Sequence, residues 1–381
     1  MSQVTPTAMP SRRRMALLVS FSGTGGVEGN IFKLLPALLA AGVEVDLLGI
    51  FKIAVPKALQ LQHPRYRLID LGVSHTSLIL PALLRYLRND PAPVLLAAKD
   101  RAIRMAILAR ALSGSTIRLV GQLNTHLSAA LAEKPALQRW WRTLPMRGFY
   151  RHVDEVIAVS QGVADDTHAL TGLPLSRIPV IRNPVINAEL TEKSRLPVDH
   201  PWLAATDTPL ILGAGRLTRQ KDFDTLIRAF ALVRAQRPCR LALLGEGPDR
   251  VALEALVAAL GLGADILLTG HVTNPYNWMA QSRLFVLSSR WEGSGNVLTE
   301  AMALGIPVVS TDCPSGPAEM LDHGRFGPLV AVGDSVTLAA AMQQTLDHPP
   351  SPVVLKTAVS EYRVEHSAQR YIDVLGLNQP A

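Results

Sequence analysis

Two glutamates, Glu292 and Glu300, flank a glycine-rich loop, Gly293-Ser294-Gly295-Asn296, with seven residues between them. Carboxylates accept strong, charge-assisted hydrogen bonds from hydroxyl groups. Glycines let a backbone come close to a ligand, and the free N–H groups at a helix start offer donors to oxygen. The apolar run 284–287 precedes the loop and a second, 306–309, follows it. Between them Asn296 can cap a short helix with Leu298, Ala301 and Met302 on its apolar face, and Gly305 with Pro307 stops it. That strand–loop–helix–strand order puts the loop at the carboxyl end of a parallel strand, the edge where α/β sheets bind ligands. Both carboxylates can then face one polyhydroxylated ligand, whereas two solvated glutamates on a surface helix are the plain alternative.

A second cluster is cationic. Gly213-Ala214-Gly215-Arg216-Leu217-Thr218-Arg219-Gln220-Lys221 follows the apolar run 210–213. Cations on a loop after a strand can neutralise a diphosphate and stabilise the charge it gains as a leaving group. The first half carries Gly23-Thr24-Gly25-Gly26 after the apolar run 15–21, and His126 in the segment 122–128 that also follows a strand-like run. Neither Gly23-x-Gly25 nor Gly245-x-Gly247 completes GxGxxG, since Glu28 and Arg250 occupy the last positions. That weighs against a dinucleotide dehydrogenase.

The elements that position these residues read as two α/β domains. A chain of 381 residues exceeds what one core serves. Its 48% apolar and 18% charged content is that of a globular protein. Strands are expected at 15–21, 43–48, 94–97, 117–121, 155–159 and 178–181, with a helix over 27–41 kinked by Pro36. Residues 1–186 form the first domain, the polar, proline-containing stretch 187–208 a linker, and 209–360 the second domain. The net charge of +7 comes from scattered arginines, so no nucleic-acid groove is implied. Cys239 and Cys313 lack ligand spacing and suit a reduced, cytosolic setting with no structural zinc. Arg12-Arg13-Arg14 superficially suggests a twin-arginine signal, but the apolar run after it is too short, and it reads as a basic tail before a strand. No run approaches the ~18 apolar residues that span a bilayer, so a soluble or peripheral protein is expected.

The glutamate pair with its EGSGN loop resembles the donor site of retaining glycosyltransferases of family 4, whose fold is GT-B: two Rossmann-like domains with parallel sheets facing across a cleft. The resemblance covers nearly the whole chain, most specifically 213–321, and Cys313-Pro314-Ser315-Gly316-Pro317 is similar to the branch that builds bacterial surface polysaccharides on lipid carriers. It implies sugar transfer from a nucleotide diphosphate, UDP by expectation, to a hydroxyl, with no metal or other cofactor. Arg216 and Lys221 would hold the diphosphate and Glu300 the ribose. Glu292 with Gly293, Ser294, Gly295, Asn296 and Val297 would hold the sugar, Val272 would meet the base, and His126 would sit at the reacting centre. Gly25, Gly26 and Gly215 would admit the donor, and residues 361–381 would cross back to the first domain. Ser294 stands where the family often has a bulky aromatic, which leaves that contact open.

A lipid-linked or saccharide acceptor is expected on the first domain. The run 138–151 mixes Trp140, Trp141, Phe149 and Tyr150 with Arg139, Arg142, Arg147 and Arg151. Contact with an anionic membrane on its cytoplasmic face and inward packing of the aromatics both fit that composition. A nucleotide-sugar epimerase of the same architecture and a non-catalytic sugar-nucleotide-binding subunit are the rival functions.

Overall fold

The computed structural model describes residues 13–21, 26–51, 55–204 and 208–378. Six parallel strands form the first sheet: β1 (Arg14–Phe21), β2 (Glu44–Phe51), β3 (Tyr66–Asp70), β4 (Val94–Ala98), β5 (Arg118–Leu123) and β6 (Glu155–Ala158), in the order β3-β2-β1-β4-β5-β6. The second repeats the plan with β7 (Leu210–Ala214), β8 (Arg240–Leu244), β9 (Ile266–Gly270), β10 (Leu284–Leu287), β11 (Val308–Thr311) and β12 (Leu329–Val330), in the order β12-β11-β10-β7-β8-β9. Helices cover both faces of each sheet, and the inner strands β4, β7 and β10 are accordingly apolar throughout. Leu284-Phe285-Val286-Leu287 is buried at every position. In each sheet the direction of winding reverses at one place, between β1 and β4 and between β7 and β10. Crevices at such reversals bind ligands in doubly wound sheets. This is the GT-B architecture.

Several local expectations are corrected. Residues 178–181 form no strand; Val180 makes one bridge to Ala158, and Pro179, which lacks an N–H, cannot extend it. Strand β3 was hidden by its mixed composition, Tyr-Arg-Leu-Ile-Asp, in which only Tyr66 is fully buried. The helix expected over 27–41 is present as Gly26–Ala40, with Pro36 inside it. The stretch 187–208 carries two short helices, Ala188–Ser194 and Pro201–Ala204. Asn187 caps the first by accepting from Leu190 N, and Asn274 Nδ2 donates to Lys193 O at 2.9 Å, tying this stretch to the second domain.

The chain crosses between domains twice, side by side. Ile186 and Arg363 form a parallel bridge, with Ile186 N donating to Tyr362 O and Val364 N donating to Ile186 O. The helix Val364–Val374 then buries Ala368, Tyr371 and Ile372, followed by Leu375 and Leu377, in the first-domain core with Leu17, Leu35 and Leu47. Arg13 Nε donates to Leu377 O and Arg118 Nη2 to Val374 O, closing the seam. Among the described residues no helix is long and apolar enough to cross a membrane.

Candidate active site

The loops after β7 and β10 meet at the second reversal point and form one wall of an interdomain cleft of about 760 Å³. Gly215, Arg216, Lys221, Glu292 and residues 293–297 line it from the second domain, with Gly26, Asn30, Asn124 and Thr125 opposite. Gly25 lies outside the described residues. Gly215 has φ 153, and a Cβ there would fall 3.0 Å from Lys221 Cε, so its lack of a side chain leaves room for the lysine stem. Gly245 and Gly247 serve packing rather than a ligand: Cβ atoms there would sit 2.0 Å from Gly215 O and 2.1 Å from Leu217 O.

Lys221 Nζ lies 2.5 Å from Glu292 Oε1, which also accepts from Ser289 Oγ at 2.6 Å. Both partners are largely withdrawn from water. Arg216 is exposed at the junction of this cleft with an adjoining pocket of about 320 Å³, walled by Val272, Met279 and Val297 beside His271. Arg219 is exposed and reaches Glu133 of the first domain at 2.8 Å.

Glu300 stands one helical turn behind. Its Oε1 accepts from Tyr276 OH at 3.3 Å and lies 3.5 Å from Lys33 Nζ, a lysine of the first domain that also donates to Val185 O at 2.9 Å. Burial pushes the Glu300 carboxyl above the usual carboxylate range, against the opposing pull of Lys33. Glu292 lines the cleft and Glu300 lies behind that lining, each matched to a lysine from a different domain.

Asn296 does not cap its helix; Gly295, at φ 78, takes that position. Its amide bridges the domains instead, donating from Nδ2 to Asn30 Oδ1 and accepting at Oδ1 from Asn183 Nδ2, both at 2.8 Å. Ser160 Oγ donates to Gly293 O at 2.6 Å, and a Cβ on Gly293 would fall 2.0 Å from Asn124 O. Ser294, with its hydroxyl buried, packs on Gly316. The glycine-rich loop is thus held by the first domain.

His126 caps the helix Leu127–Ala132, its Nδ1 accepting from Ala129 N at 3.2 Å, so the ring proton is assigned to Nε2. Asp166 Oδ2 lies 3.5 Å from Nδ1. Of the described residues, Thr125 rather than His126 lines the cleft. Sequence reasoning missed Lys33, Asn30, Asn183 and Ser160. It also missed Glu319, whose carboxylate accepts from Gln161 N and Gly162 N at 2.8 Å each and from Arg182 Nη1 at 2.6 Å. Burial opposes its charge, yet these donors hold the carboxyl below its usual range. No motif marks such residues; each becomes functional only through a partner far away in the chain. In the helix Ala136–Tyr150, Trp140 and Trp141 are 50% and 64% exposed. Tyr150 is fully buried, its hydroxyl donating to Asp100 at 3.0 Å, and Phe149 packs partly against the core.

Comparison with known proteins fits this geometry. Residues 24–188 match the model of Glycosyltransferase Family 4, and residues 208–348 that of Glycosyl transferases group 1. An uncharacterized glycosyltransferase of Methanocaldococcus jannaschii is 32% identical over 47% of this chain, a match that spans only 44% of that relative's length. The N-acetylgalactosamine-N,N'-diacetylbacillosaminyl-diphospho-undecaprenol 4-alpha-N-acetylgalactosaminyltransferase of Campylobacter jejuni is 26% identical over 88% of this chain and 90% of its own. Anabaena HepE, solved in complex with UDP-glucose, superposes with a TM-score of 0.77 at 19% identity, covering 95% of this chain and 99% of that one. The chain belongs to glycosyltransferase family 4 and has its GT-B fold.

Proposed function

We propose that the protein is a retaining transferase that moves a hexosyl or N-acetylhexosaminyl group from a UDP-sugar to a hydroxyl of a lipid-linked saccharide, in the making of a cell-surface glycan. The observation that carries this reading is the Lys221–Glu292 pair at the second reversal point, with Arg216 beside it and a glycine-rich loop braced from across the cleft. Lys221 and Arg216 take the diphosphate and stabilise the charge it gains as the glycosidic bond breaks. They supply the positive charge that a metal ion would otherwise bring, so neither a metal nor another cofactor is part of the reading. Glu292 and the loop amides hold the sugar, Glu300 the ribose, and the pocket beside Val272 the base. Thr125, beside the capping residue His126, faces the sugar from the first domain.

Family membership, the site geometry and the activity for which the Campylobacter relative is named support this reading. The exposed Trp140 and Trp141, with arginines around them, fit peripheral contact with the inner face of the cytoplasmic membrane. The test is calorimetry with a panel of nucleotide sugars, followed by transfer to a lipid-diphosphate saccharide and assignment of the product anomer by NMR. Binding of UDP-sugar and an anomer matching the donor's are expected. Conversion of the donor without acceptor would make the protein an epimerase, and absence of nucleotide-sugar binding would refute the reading.

A further inference from the structure

A second cavity, of about 470 Å³, opens at the carboxyl edge of the first sheet, where Ser20 of β1 and Ala98 of β4 contribute to its floor. This is the first sheet's own reversal point, the place where a doubly wound sheet binds ligands. The helix Leu127–Ala132 separates it from the donor cleft: Leu127 and Leu131 face this cavity, while Ala130 lines the cleft on the other side.

The lining is strongly cationic. Lys99, Arg101, Arg104 and Arg142 surround one carboxylate, Asp100, which Arg104 already clasps through bonds of 3.0 and 2.7 Å. Lys99 has φ 76 and ψ 146, a region of backbone space adopted without strain only by glycine. That conformation links β4 directly to the helix Asp100–Ser113 and sends Lys99 Nζ across the strand ends to Ser20 O, 3.2 Å away. Backbone strain of this kind persists where the surrounding structure enforces it and clusters at functional sites. Trp141 forms part of the cavity wall, and exposed Leu137, Trp140 and Leu144 extend an apolar ridge outward from it along the same helix.

We propose that this cavity seats the diphosphate of the acceptor, an isoprenoid-diphosphate-linked saccharide, with the isoprenoid leaving along the Trp141 ridge. The proposal rests on the transferase reading and names the acceptor's chemistry. Concave cationic walls match two linked phosphoryl groups, and arginine forks bind their oxygens in pairs. Leu137, Trp140, Trp141 and Leu144 recur at helical spacing and are all exposed, and an exposed apolar stripe of this kind marks a site for an apolar partner. A saccharide attached to the diphosphate needs only to pass the short helix Leu127–Ala132 to bring its hydroxyl to the donor.

The test is calorimetry with farnesyl diphosphate, farnesol and inorganic pyrophosphate on the full chain, on the Arg101→Glu/Arg142→Glu variant and on Lys99→Gly. UDP is titrated into each protein in parallel. Farnesyl diphosphate is expected to bind the parent at least tenfold more tightly than farnesol or pyrophosphate, and to lose at least tenfold in both variants while UDP affinity holds. Lys99→Gly relieves backbone strain, so its thermal stability should match or exceed the parent's, which separates lost binding from lost folding. Equal farnesyl diphosphate affinity in parent and variants would overturn the site. Pyrophosphate binding as tightly as farnesyl diphosphate would overturn the lipid-linked occupant in favour of a soluble phosphorylated one. Failure of UDP to bind the parent would count instead against the donor reading.

Discussion

Replacing Lys221 with alanine separates two energies that the structure joins in one contact. Lys221 Nζ and Glu292 Oε1 are 2.5 Å apart and both side chains are mostly buried. Removing the ammonium leaves the carboxylate with the Ser289 hydroxyl and no cation at that distance. Breaking a buried pair on one side costs about 3–5 kcal/mol, and the remaining Ser289 bond puts this site near the lower end, about 3 kcal/mol of stability. Losing the cation that meets developing charge adds about 2–4 kcal/mol to the barrier, roughly a 30- to 1,000-fold loss of turnover. A second variant, Lys221→Ala/Glu292→Gln, removes the stranded charge and should recover most of the stability. Turnover should stay low, because the cation is still missing. Urea unfolding and initial rates at saturating donor measure the two separately. A folded Lys221→Ala protein with parental turnover, or a double variant that regains it, refutes the assignment.

With Glu300 in its proposed role on the ribose, the burial that raises its carboxyl should make nucleotide binding sensitive to pH in a defined direction. Its charged form should be lost as pH falls through a value above the usual glutamate range, and folding should become less costly there because the buried charge disappears. Calorimetric UDP affinity should decline at that pH, and Lys33→Met should move the midpoint higher; a midpoint at the ordinary glutamate value refutes this. Gly293→Ala places a methyl 2.0 Å from Asn124 O, so it should hold the domains apart. Small-angle scattering should register a more open shape and turnover should collapse while urea stability stays near the parent's; an unchanged scattering profile counts against the brace. Arg139→Glu/Arg147→Glu should lower flotation with anionic vesicles, by about 1 kcal/mol for each basic residue removed, without changing UDP affinity. Equal flotation of variant and parent, or a parent that never floats at low salt, ends the membrane assignment.

The sequence disclosed what depends on neighbours along the chain. Leu284-Phe285-Val286-Leu287 could only be a buried strand, and Gly293 to Asn296 after it could only be a loop at a sheet edge. The cation loop at Arg216 and Lys221 was equally plain, because strand and loop adjoin in sequence. Asn296 misled for a physical reason: its residue type suits a helix cap, but its amide finds better partners in Asn30 and Asn183. Glu319 and Lys33 gave no signal, since an isolated charge on a helix has the same pattern whether it meets water or the opposite domain. Residues 178–181 had the composition of a strand and lacked only a second donor edge, which Pro179 removes.

The closing helix has a consequence for how the chain is made. Tyr371, Ile372, Leu375 and Leu377 belong to the core begun by Leu17. Synthesis runs in the other direction, so the first domain to emerge from the ribosome is the last to be complete. Until the helix Val364–Val374 arrives, the first-domain core that includes Leu35 and Leu38 lacks these partners, while the second domain already holds its own core. The order of translation and the order of completion are therefore reversed for the two domains.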